Sequence, residues 1–104
     1  MSNDAPRPIR VSGEASAEAT GNKNPLVATL ERLNPAQREF VLDLADFEVD
    51  DGYPLTQCVN SVRELLVRGG IVTFLSAPRV LVDGLERAGL LLPPAHVIVT
   101  GIRV

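Results

Sequence analysis

The segment from Pro54 to Gly70 most constrains how this chain folds. Pro54 suits the first turn of a helix, Leu55, Cys58, Val59, Val62, Leu65 and Leu66 recur on one helical face, and Gly69-Gly70 follow as a C-terminal cap. On either side stands a short apolar run. Glu39 to Asp46 (EFVLDLAD) is apolar at Phe40, Val41, Leu42 and Leu44, and Ile71 to Leu75 (IVTFL) is continuous and rich in β-branched residues. Such runs are too short for helices. The pattern predicts buried strands in a sheet covered on both faces, joined through the helix by a right-handed crossover that makes them parallel.

The rest of the chain extends this alternation. Asn24 is placed to cap a helix, Pro25 suits its first position, and Leu26, Val27, Leu30 and Leu33 recur at helical spacing up to Asn34-Pro35. Ser76, Ala77 and Pro78 restart a helix that carries Val80, Leu81, Val82 and Leu85 and ends at Ala88-Gly89. After the apolar connection Leu90 to Pro94, the segment His96 to Val104 (HVIVTGIRV) alternates as a last strand. Near the start, Ile9, Arg10 and Val11 read as a strand with Gly13 as its turn. Residues 1–7 read as a disordered tail and 8–104 as one α/β domain, ordered strand, helix, strand, helix, strand, helix, strand.

Composition removes several function classes. The chain has 104 residues and a net charge of −3, enough for one core and little else. Nucleic-acid binding is not expected, because phosphate contacts need clustered cations, and Lys23 is the single lysine among scattered arginines. Four aromatic residues, Phe40, Phe47, Phe74 and Tyr53, are too few for a base-stacking platform. One cysteine, Cys58, and one histidine, His96, build neither an internal disulfide nor a zinc site. No apolar run is long enough to span a membrane, and MSNDAPRPIR lacks the basic head and apolar stretch of a secretory signal, so a cytoplasmic protein without a cofactor is expected.

Chemistry in an open α/β sheet collects at the carboxyl ends of strands. Here that place is Asp46 to Thr56 (DFEVDDGYPLT), where Asp46, Glu48, Asp50 and Asp51 fall together with no base among them. Such acids can hold magnesium, accept a phosphoryl group, present a surface to a partner, or simply stabilise the positive end of the next helix. A phosphoryl acceptor needs a lysine on a later strand, and none follows Lys23. Cys58 falls on the apolar helix face and reads as core, while His96 has no nucleophile near it in sequence. No enzyme is expected, because base, nucleophile and anion-stabilising donor do not converge. On the central helix, Thr56, Asn60, Arg63 and Glu64, with Gln57 and Ser61, project away from the apolar stripe. Interface and plain solvation both account for such a face.

In order and spacing, VLDLADFEVDD and GGIVTFLSAPRVLVDGLERAGL resemble the STAS domain of bacterial anti-sigma factor antagonists over residues 8–104. The resemblance implies a mostly parallel sheet of four to five strands with helices packed against it. It also implies a non-enzymatic regulator that binds an anti-sigma factor or related kinase-like protein. The implied binding residues are Asp50, Asp51, Gly52, Tyr53, Thr56, Gln57, Asn60, Arg63 and Glu64. An alternative within the same fold is a small subunit docked on the ATPase of a phospholipid-transport ABC transporter; another is a ligand- or metal-responsive sensor using the acids of the loop. The family motif is Asp-Ser/Thr-x-Gly at the start of the central helix, its hydroxyl phosphorylated to switch binding off. Here Asp51 takes the aspartate position, Gly52 and Tyr53 replace the hydroxyl pair, and Pro54 replaces the glycine. Tyr53, or Thr56 one turn on, is the nearest hydroxyl, so gating by serine phosphorylation is not expected. The final helix of many family members has no counterpart after Val104, which implies an exposed sheet face suited to a partner or a homodimer.

Overall fold

Each helix starts where the sequence supplies a stop for the preceding extended chain. In a computed structural model that describes residues 7–16, 24–92 and 96–103, Asn24 caps helix α1 (Pro25–Glu31), its side-chain oxygen accepting from the Leu26 and Val27 amides at 3.0 and 3.3 Å. Gly52, at φ 97°, precedes helix α2 (Tyr53–Val67). Pro78 precedes helix α3 (Arg79–Arg87). Between them run strands β1 (Pro8–Ala15), β2 (Glu39–Val49), β3 (Ile71–Pro78) and β4 (Val97–Arg103).

The strands form one sheet in the order β1-β2-β3-β4, and every neighbouring pair is parallel. The α/β alternation expected from sequence is therefore present, with four strands among the described residues. Winding always in one direction puts the crossover helices on the same face, where α1 packs on α2 and α2 on α3. The expectation of a sheet covered on both faces fails for this reason. Phe40, Leu42, Leu44, Val72 and Phe74 are buried beneath the helices, while Val41, Asp43, Thr73, Leu75 and Ile98, which alternate with them, remain partly or largely exposed.

Other corrections concern where elements end. Strand β2 continues past Asp46 to Val49, because Phe47 and Val49 are buried and Ser12 to Ala15 of β1 pair alongside. Asp46 and Glu48 are thus strand residues. Ser76, Ala77 and Pro78 extend β3 instead of starting a helix, since Ala77 and Pro78 pair with Ile102 and Arg103 of β4. Gly13 lies inside β1 at φ 119°, not in a turn after it. Leu33 lies beyond the end of α1, and Val80 is on the exposed side of α3. The expected tail, apart from Arg7, falls outside the described residues, as do residues 93–95 and Val104.

The sheet forks at its carboxyl end. Pairing of β2 with β3 stops at Asp43 and Leu75. Beyond that point β2 follows β1, carrying an extra residue between Asp43 and Asp46 opposite Arg10 to Ser12, and β3 follows β4, where Ser76 (φ 55°) and Gly101 (φ 83°) kink the two strands together. Arg103 bridges the two arms. Its guanidinium donates to the Ser76 carbonyl at 2.8 Å, to the Leu44 carbonyl at 2.8 Å and to that of Phe47, and pairs with Glu48 at 2.6 Å.

Candidate interaction surface

Beside the fork, the loop from β2 turns into α2. The Asp50 amide donates to the Ala15 carbonyl at 2.9 Å, which holds the loop to the end of β1. Gly52 supplies the left-handed turn, a conformation that costs residues with a Cβ, and Thr56 closes the first helical turn by donating its amide (3.0 Å) and hydroxyl (3.1 Å) to the Gly52 carbonyl. Tyr53 projects outward, 72% exposed.

The apolar stripe read from sequence anchors α2: Leu55, Cys58, Val59, Val62 and Leu65 are buried. Asn24 ties its start to α1, donating to the Pro54 carbonyl at 3.1 Å and to the Cys58 sulfur at 3.3 Å. Burial pushes the Cys58 thiol up to about 11, only partly opposed by the hydrogen bond with Asn24. A thiol in that state is a core group rather than a nucleophile.

Opposite this stripe, Thr56, Asn60, Arg63 and Glu64 form an exposed ridge, with Gln57 and Ser61 half-buried along its side. Arg63 donates to the Asn60 side chain at 3.2 Å, which steadies both. The ridge stands between two grooves. Toward α3, a groove of about 300 Å³ is floored by Leu55, Val59 and Ala88. It is deep enough to form because Gly84 has no side chain: a Cβ there would lie 2.9 Å from a Leu55 methyl. Toward α1, a wider groove of about 530 Å³ is lined by Leu30, Leu33 and Val67, and Arg63 borders both. Val67 is 81% exposed.

The predicted site residues divide accordingly. Thr56, Asn60, Arg63 and Glu64 share the ridge, whereas Asp50, Asp51 and Gly52 form the loop at its head and Tyr53 opens the helix. His96 is exposed at the entry to β4. The acidic run, which has no base within it in sequence, acquires one from three other elements. Arg10 of β1 meets Asp46 at 3.5 Å, Arg87 of α3 meets Asp51 at 3.9 Å, and Arg103 of β4 meets Glu48 at 2.6 Å. Among the described residues, no group of three or more His, Cys, Asp or Glu side chains gathers to hold a metal.

Arg87 and Gly84 were not anticipated at this surface. Gly84 carried a usable signal, since a lone glycine inside a helical pattern marks close packing; Arg87 carried none, because nothing in its spacing relates it to Asp51. No helix among the described residues is long and apolar enough to cross a membrane. No protein-family model, curated protein or solved structure matches the chain.

Proposed function

We propose that this chain is a protein-interaction module of the STAS kind, acting as bacterial anti-sigma factor antagonists do by capturing an anti-sigma factor or a related kinase-like protein. The observation that carries the reading is the ridge of α2, polar on its crest and flanked by two grooves with apolar floors. A partner that straddles the ridge buries apolar surface on both sides and satisfies Asn60 and Arg63 at the centre, the arrangement typical of protein interfaces. The Asp50–Tyr53 loop sets the edge of the footprint. Binding on this reading is constitutive: Gly52 and Tyr53 stand where the resemblance puts the phosphorylated hydroxyl, and the Thr56 hydroxyl is already hydrogen-bonded to Gly52.

The double variant Asn60→Ala/Arg63→Ala tests the reading. Capture of an anti-sigma factor by the purified chain is expected to weaken by roughly tenfold or more, since truncating central polar anchors costs on the order of 1–2 kcal/mol each. The circular dichroism melt should hardly move, because both side chains are exposed. Equal capture by the double variant removes the ridge from the interface.

A further inference from the structure

Among the described residues, strands β1 and β4 are the two edges of the sheet, and they are protected very differently. Along β1, Pro8 lacks a donor, the register breaks between Arg10 and Ser12, and Arg10 and Glu14 place charges on the strand. Each of these discourages another strand from pairing. From Val97 to Ile102, β4 has no proline and no charge. Its one ionic residue, Arg103, is turned back across the sheet to the Ser76 and Leu44 carbonyls.

The backbone of β4 faces outward at defined positions. Val72 is in register with Val97, and its amide donates to the His96 carbonyl at 3.0 Å. In a parallel ladder a residue bonds to the two that flank its partner, so His96, Ile98 and Thr100 bond inward. Val97 and Val99 therefore present both amide and carbonyl to the outside. We infer that β4 is a self-pairing edge: two copies of the chain join β4 to β4, antiparallel about a two-fold axis, into one continuous sheet.

A second copy fits this edge for reasons of charge and closure. From Val97 to Ile102 the strand is uncharged, so it meets its own copy without setting like charges opposite each other in any register. Head-to-tail joining of β4 to β1 would instead propagate as a filament, and the guarded edge of β1 opposes it. In the symmetric register Val97 and Val99 exchange hydrogen bonds with Val99 and Val97 of the second copy. Ile98, 52% exposed, then faces its own counterpart on the axis. A single strand pairing buries less than the roughly 800 Å² per partner of a standard interface, so the association is weak and depends on concentration.

Sedimentation or light scattering tests this on the full chain. The weight-average mass is expected to rise from 11.2 kDa toward twice that value as concentration increases, over roughly 10 to 500 µM for an interface of this size. Val99→Pro removes the outward amide and leaves the bonds to β3, at the cost of a valine side chain packed against the core, so a folded Val99→Pro protein should hold the mass at that of the monomer. In a Cys58→Val background, Ile98→Cys should form a disulfide-linked dimer under mild oxidation, and Ile71→Cys on the neighbouring strand should not. A monomer at all concentrations overturns the proposal, as does a folded Val99→Pro protein that associates like the parent. If Val99→Pro does not fold, the Ile98→Cys cross-link decides in the same two directions.

Discussion

Cys58 shows how one buried atom ties stability to pH. Its thiol is enclosed by the core and touches the Asn24 amide at 3.3 Å, so ionisation in the folded chain is delayed to about 11 from the ordinary value of 9.0. Below pH 9 both folded and unfolded chains keep the proton and the group contributes nothing to pH dependence. Between about 9 and 11 the unfolded chain releases it first, so the unfolded state binds fewer protons and stability falls as pH rises. Urea melts at pH 8 and pH 10.5 should show the parent chain losing on the order of 2 kcal/mol, with the loss much reduced in Cys58→Val. The same enclosure predicts slow reaction of the native thiol with disulfide reagents, accelerating on denaturation.

At the level of elements, the fork between β2 and β3 depends on an arginine from a third strand. Leu44, Phe47 and Ser76 offer carbonyls at the point where sheet pairing ends, and Arg103 supplies donors to all of them. Arg103→Met should therefore lower stability by about 2 to 4 kcal/mol in urea unfolding, because partly buried acceptors lose their partner. Arg103→Lys should recover little, since an ammonium cannot reach the two arms with a planar fork of donors. The sequence contained the elements but not this junction. Asn24, Pro25, Pro54 and Gly69-Gly70 marked helix ends through local chemistry, and α1, α2 and their caps were legible for that reason. Ser76 to Pro78 read as a helix start because proline favours the first helical turn, yet pairing with Ile102 and Arg103 keeps the segment extended. Likewise the ridge on α2 followed from helical periodicity, whereas Arg87, Gly84 and Arg103 joined the surface and the fork through contacts that no local pattern encodes.

For the whole molecule, the decisive property is that the described helices cover one face of the sheet and leave the other open. Thr73 and Phe74 are adjacent on β3 and point to opposite sides. Thr73→Lys should change stability by no more than about 1 kcal/mol, while Phe74→Lys should abolish the cooperative melt by burying an unpaired charge beneath the helices. A sheet covered on both sides would lose its fold with either. The strand order has a temporal counterpart. Each strand pairs with the one made just before it, so most of the sheet can assemble as the chain emerges from the ribosome. The fork is the exception, because Arg103 follows Glu48 by 55 residues and Ser76 by 27. Until β4 is synthesised, the carbonyls of Leu44, Phe47 and Ser76 must be satisfied by water, and the junction between the two halves of the sheet stays loose. Completion of β4 is thus expected to convert a growing stack of strands into a single cooperative unit.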